Sequence, residues 1–255
     1  MPTTPARRLF IAAALAPLAL SLAACGEKTD GGSTSAAPSG APIAKIAPPA
    51  GKVWSDVTAV TEEGGYRMGN PDAPIKLIEY GALSCSHCAE FSEKSAAEMR
   101  SNFVDSGRVS YELRFIMNNA LDVPANLLTT CGAPEAVLPL ADQFWAWQKT
   151  MFENIQAAGD AKLNAVGQLP REQQFAAMAQ VTGMDQFFAA RGIAREQGAA
   201  CLADVAKAER VVKASGDYAT KYKVEGTPTF YVNGTKLDTN TWEAVKPYLE
   251  NMGAR

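Results

Sequence analysis

Two cysteines separated by two residues close an apolar run in PIKLIEYGALSCSHCAEF, residues 74–91. Ile75, Leu77 and Glu79 alternate with Lys76, Ile78 and Tyr80, and both sets are mostly apolar. That is the pattern of a strand covered on both faces. Beyond the cysteines the period changes. Cys88, Phe91, Met99 and Phe103 fall on one stripe of a helix expected over residues 86–104. The pair therefore sits where a buried strand hands over to a helix, and that junction has chemical consequences. At a helix N-terminus, free backbone N–H groups and the positive end of the dipole stabilise a thiolate, here on Cys85. Cys88, on the apolar stripe, is expected to be buried and to react second. His87, the single histidine of the chain, stands between them. It either lends a donor or positive charge to the sulfur or is exposed on the first turn without effect.

The rest of the chain supplies partners for that strand. VSYELRFIM (109–117) is a second β-rich run. In VEGTPTFYVNGTKLD (224–238), Asn233-Gly234 marks a two-residue hairpin turn between TFYV and TKL. A last helix is expected from about Asn240. Asn240 and Glu243 would form its capping box, and Trp242, Val245, Leu249 and Met252 its buried stripe. Between these, Phe144, Trp147, Met151 and Ile155 share one helical stripe, and REQQFAAMAQ and AKAERVVKASGDYATKY also read as helices. A net charge of −3 over 255 residues, 47% of them apolar, suits one globular domain. It gives no electrostatic case for nucleic acid.

The first 25 residues have a different character. Arg7 and Arg8 precede LFIAAALAPLALSLAA, which is too short and too alanine-rich for a spanning helix; residues 1–24 read as an export signal. LAAC (22–25) resembles the lipobox of bacterial lipoproteins, which implies cleavage before Cys25 and its acylation. RRLF also resembles a twin-arginine signal, although nothing here calls for folding before export. Residues 25–51 are rich in Gly, Ser, Ala and Pro. They bury too little surface to offset chain entropy, so a disordered tether is expected, with the domain starting near Lys52. The expected location is the periplasm or cell envelope, on a lipid anchor.

Five cysteines are an odd number for an exported protein. With Cys25 set aside, Cys85, Cys88, Cys131 and Cys201 remain. An oxidising compartment favours two disulfides, Cys85 with Cys88 and Cys131 with Cys201. A four-cysteine zinc site is the alternative. Strong zinc signatures carry two close pairs, however, and this chain has one, so no metal is expected.

With CSHC at one end and GTPTF (226–230) at the other, the order of elements resembles the thioredoxin superfamily, and within it the DsbA-like thiol:disulfide oxidoreductases. The similarity runs from about Gly69 to the C-terminus. It implies an α/β thioredoxin fold (52–255) with a helical insertion over about 118–208, and sulfur exchange at Cys85 and Cys88 with no bound cofactor. It implies a cis Thr227–Pro228 bond beside the cysteines, with Thr227 offering backbone groups to a substrate peptide; otherwise Pro228 merely opens an edge strand. It implies that Glu79 is the family's buried acid, aiding proton transfer at the second cysteine; a salt bridge to Arg114 is the other reading. Some relatives carry a second disulfide in the insertion, the place of Cys131 and Cys201, either structural or a tuning redox pair.

The resemblance thus implies an exported enzyme that introduces disulfides into envelope proteins. A DsbB-like, quinone-linked membrane partner would reoxidise it, and monomer is the default state. The rivals are a reductase or isomerase on the same fold, or a peptide-binding module without catalysis. Residues 51–70 are too few for the dimerisation domain that family isomerases generally carry.

Overall fold

The computed structural model describes residues 40–255. The expected signal peptide (1–24), Cys25 and residues 26–39 lie outside the described residues. Six strands, β1 (Thr58–Val60), β2 (Tyr66–Met68), β3 (Ile75–Gly81), β4 (Val109–Phe115), β5 (Thr229–Val232) and β6 (Thr235–Lys236), form one mixed sheet. Its order is β1-β2-β4-β3-β5-β6. The run before the cysteines is therefore central, parallel to β4 on one side and antiparallel to β5 on the other. Ile75, Leu77, Glu79 and Tyr80 are buried, and β4 is buried at all seven positions, as strands covered on both faces must be. Asn233 and Gly234 both take positive φ, the backbone of the tight hairpin turn expected between β5 and β6.

Helix α1 (Ser86–Glu98) runs on into a wide π-turn (Met99–Val104), and together they fill the expected span. Between β4 and β5 come α2 (Asp122–Thr129), α3 (Pro134–Gly167), α4 (Arg171–Thr182), α5 (Met184–Ala189), α6 (Arg195–Ala203) and α7 (Val205–Lys221); α8 (Trp242–Leu249) follows the sheet. The helical insertion is thus α2 to α6, and α7 returns the chain to the sheet. α3 is broken at Gly159, whose φ of 72° is left-handed. In the insertion, Phe144 packs against Phe187 and Phe188 with ring centroids 5.5 and 5.6 Å apart.

The two faces of the sheet are covered differently. On the Leu77 and Glu79 face, α1 and α8 bring Phe91 to 4.4 Å from Phe230, and Phe103 to 5.5 Å from Trp242, centroid to centroid. On the Tyr80 face, α7 brings Tyr218 and Tyr222 to 5.6 and 5.2 Å from the Tyr80 ring.

Two expectations need correction. Helix α8 starts at Trp242, Thr241 is its N-cap, and no side chain caps it. Glu243 reaches Lys94 on α1 at 2.9 Å, and no capping box forms at Asn240. The attached chain also begins ahead of Lys52. Ile43 N donates to Gly253 O and Ile46 N to Ser106 O, each at 2.9 Å, and Trp54 Nε1 donates to Ile46 O at 2.8 Å. Backbone hydrogen bonds hold residues 40–46, and such bonds leave no trace in composition.

Candidate active site

Cys85 is the N-cap of α1. It is partly exposed, and its sulfur accepts the Cys88 backbone N–H at 3.3 Å. On the other side Cys85 Sγ, in its protonated form, donates to the Thr227 carbonyl at 3.1 Å. Hydrogen bonding from Cys88, helped by the backbone amides of Cys88 and His87, pulls the Cys85 thiol down to about 6, against the opposing pull of burial. At neutral pH it is mostly thiolate. Cys88 is fully buried, and burial pushes its thiol well up, with the neighbouring Cys85 and Glu79 adding to the shift. The two sulfurs are therefore unlike, one a ready thiolate and one a buried thiol. The His87 side chain is exposed on the first turn, and its backbone amide is one of the groups that lower the Cys85 thiol.

Thr227–Pro228 is a cis bond, as the resemblance implies, and Pro228 is buried. Glu79 is fully buried on the face expected for it. Burial is the main cause that lifts its carboxyl to about 8; the Tyr111 hydroxyl, donating at 2.7 Å, works against that. The suggested salt bridge to Arg114 does not form. Register sets Arg114 beside Tyr80 and Leu113 beside Glu79, so the guanidinium lies on the opposite face of the sheet. There it meets Glu112 at 2.6 Å and also pairs with Glu63.

Several residues that hold the site escaped the sequence reading. Asp122, fully buried at the start of α2, accepts from Ser84 N at 2.7 Å, Asn118 N at 2.9 Å and Asn119 N at 3.0 Å. Asn118 Nδ2 donates to Thr227 Oγ1, and Asn119 Nδ2 to Ser84 Oγ, both at 2.7 Å. From α3, Trp145 Nε1 donates to Ala82 O at 3.0 Å, and Gln148 Nε2 to Leu83 O at 2.7 Å and Cys85 O at 3.0 Å. The loop leading to the cysteines and the cis-proline loop are thus bolted to the insertion. Ala141, Trp145 and Gln148 share a second buried stripe of α3, beside the one noticed, and that spacing was available in the sequence.

Cys131, just past α2, and Cys201, in α6, are joined by a disulfide spanning 70 residues of sequence. That bond takes both out of a four-cysteine zinc site.

The sheet order, the strand-to-helix cysteine pair and the cis-proline loop define a thioredoxin fold of DsbA type with a helical insertion. The chain belongs to the thioredoxin family: the sequence profile described as Thioredoxin matches residues 61–251. A Rickettsia bellii protein named as a protein-disulfide oxidoreductase is 23% identical over 195 residues, 76% of this chain and 66% of that protein. A Rickettsia felis protein of the same name is 22% identical over 202 residues, 76% of this chain and 62% of that protein. The chain thus spans a little under two thirds of the length of these curated relatives. Among solved structures, a protein-disulfide isomerase from Novosphingobium aromaticivorans is similar, with TM-score 0.69 and 25% identity over 72% of this chain and 94% of that one. Wolbachia pipientis alpha-DsbA1, at TM-score 0.59 and 16% identity over 76% of this chain and 93% of that one, shares the fold.

Proposed function

We propose that this chain is a thiol:disulfide oxidoreductase acting on protein thiols through Cys85 and Cys88, and that it donates disulfides to proteins of the cell envelope. The observation that carries the reading is the asymmetry of the two sulfurs, with Cys85 held down to about 6 and Cys88 buried as a thiol. In the oxidised protein a substrate thiolate attacks Cys85 Sγ. The bond to Cys88 breaks, Cys88 leaves with the electron pair and takes up a proton, and a mixed disulfide forms through Cys85. A second substrate thiol then attacks the substrate sulfur, and Cys85 leaves as a thiolate. Two electrons pass from substrate to the pair. The low proton affinity of Cys85 makes it a good leaving group and stabilises the reduced pair, which supports the donating direction.

Thr227 and Pro228 would present the substrate backbone to Cys85, and Glu79 would serve the proton of Cys88. Cys131–Cys201 is read as a structural brace of the insertion. A lipid at Cys25 would hold the enzyme near a quinone-linked membrane partner of DsbB type that reoxidises the pair, with the monomer as the working unit. The name of the Novosphingobium relative favours a second reading, isomerase.

Replacing Cys88 by Ser tests the activity: mixed disulfides through Cys85 should accumulate with envelope proteins, and their absence would sink the enzyme reading. Equilibration against glutathione tests direction. A potential near about −120 mV supports the donor, whereas one near about −270 mV makes the pair a reductant.

A further inference from the structure

The two oxygens of Glu79 have different surroundings. Oε2 accepts the Tyr111 hydroxyl at 2.7 Å. Oε1 is shut off from solvent and has no hydrogen-bond partner among the described residues. It lies over Gly81: a Cβ on that glycine would stand 2.8 Å from Oε1 and 3.1 Å from Leu113 Cδ1. Strand alternation sets positions 79 and 81 on one face, with 81 nearer the cysteines. The free oxygen thus leans toward the redox end of β3, through space that any side chain at position 81 would fill.

The titratable groups acting on this carboxyl are Tyr111 from β4, Cys85 and Cys88 from the start of α1, and Asp142 from α3. Asp142 is itself held by Ser92 Oγ and Arg100 Nη2, each at 2.9 Å. On β5 the residue opposite Glu79 is the apolar Phe230.

We infer that Tyr111 and Gly81 are positioning residues for the exchange reaction: the Tyr111 hydroxyl anchors one oxygen of Glu79, and the bare Cα of Gly81 leaves the other free to pass a proton to and from Cys88. The inference rests on Cys85–Cys88 being a working redox pair. When an incoming thiolate bonds to Cys85 Sγ, the Cys85–Cys88 bond breaks and Cys88 leaves with its electron pair. Glu79 gives Cys88 its proton and becomes a carboxylate, whose charge the Tyr111 hydroxyl then meets. In reverse, Cys88 returns the proton before it attacks. A neutral donor suits this role. A cation in its place would hold the acid ionised, with no proton to give.

The test is stopped-flow reduction of the oxidised protein by dithiothreitol, with the rate expressed per thiolate across about pH 5 to 10. In the wild type this rate falls on the alkaline side as Glu79 ionises. Tyr111→Phe should move that midpoint up by about one unit, because the carboxylate loses a charge-stabilising hydrogen bond. Glu79→Gln should abolish the alkaline limb and lower the plateau about 100-fold. Gly81→Ala should lower the plateau about tenfold, and should add nothing in the Glu79→Gln background. An unmoved midpoint in Tyr111→Phe overturns the role of Tyr111. An unchanged plateau in Gly81→Ala, or an equal loss in both backgrounds, overturns that of Gly81. If either variant fails to fold, carbon-13 titration of Glu79 in the wild-type protein decides. An ordinary carboxylate midpoint overturns the inference, and a raised one tracked by the Tyr111 ring supports it. A wild type that does not exchange with dithiothreitol at all would instead defeat the redox-pair reading. Exchange without the predicted differences leaves that reading standing and removes this one.

Discussion

The two faces of β3 bury charge in opposite ways. On the Tyr80 face, Arg114 is only 4% exposed, yet it is surrounded by compensation. Glu112 and Glu63 pair with it, the Tyr80 hydroxyl accepts from it at 3.0 Å, and the rings of Tyr80, Tyr218 and Tyr222 lie 5.3 to 5.7 Å from its guanidinium carbon. Lys221 first, then Tyr222 and Arg114, hold Glu63 down to about 2. On the other face Glu79 has, among the described residues, no cation and only a tyrosine hydroxyl, and burial lifts its carboxyl to about 8. One face pairs its charges with one another and holds the Glu63 carboxyl well below neutrality. The other leaves an acid uncompensated, so that its proton comes and goes in the working range, next to the sulfurs. Compensation serves stability; the lack of it costs stability and, in the role proposed for Glu79, serves chemistry.

The largest effect expected from this contrast is on the compensated face. Arg114→Met keeps the volume but strands Glu112, whose side chain is 11% exposed, while Glu63 at 37% can turn to water. Removing one partner of a buried pair typically costs about 3–5 kcal/mol. Denaturant unfolding should show a loss of that order, and Glu112→Leu in the same chain should recover much of it. A loss below about 1 kcal/mol would mean the cluster is solvated and the contrast between the faces is false.

Glu79→Gln should act in the opposite sense, and only above acid pH. The folded carboxyl titrates near 8, against an ordinary value of 4.5. Below that ordinary value both folded and unfolded chains hold the proton, so the site costs nothing. As pH rises the unfolded chain ionises first, and stability drains away until the folded acid ionises too. At about 1.4 kcal/mol per unit, the cost at neutral pH is about 3 kcal/mol. The Gln variant, still able to accept from Tyr111, should match the wild type near pH 4 and exceed it by about that amount near neutrality. Equal stabilities at both pH values would show that Glu79 is an ordinary surface-like carboxylate.

The same two faces show what the sequence could and could not tell. The cysteine junction, the Asn233-Gly234 turn and the buried stripe of α1 are local patterns, and each stands where its spacing puts it. Glu79 was legible as a face-mate of Leu77. Its partner was not, because strand alternation says which residues share a face within a strand but not the register between strands. Register pairs Tyr80 with Arg114; a shift of one residue would have brought that guanidinium to Glu79. Asp122, Trp145 and Gln148 hold the active-site loop from the insertion, 38 to 65 residues away in sequence from the atoms they bind. No local period carries that information. The attachment of segment 40–46 is illegible for a related reason, since its contacts are made by backbone atoms and composition is blind to them.

A smaller effect sharpens the comparison most cleanly, because the same chemical change can be made on each face. Tyr80→Phe removes the hydroxyl that accepts from Arg114 Nη1 at 3.0 Å. The guanidinium keeps Glu112 and Glu63, so the loss is one hydrogen bond among several, about 1 kcal/mol. Glu63 stays ionised, held down chiefly by Lys221 and Tyr222, so that loss should be the same at mildly acid and mildly alkaline pH. It should also leave the rate of sulfur exchange unaltered. Tyr111→Phe removes an equivalent hydroxyl from a group that does titrate there, so its signature is a shift along the pH axis rather than a constant offset. Paired unfolding and exchange profiles of the two variants would separate the faces. If Tyr80→Phe also moved the alkaline limb of exchange, the two faces would be electrostatically coupled through β3, and the division of labour drawn above would have to be given up.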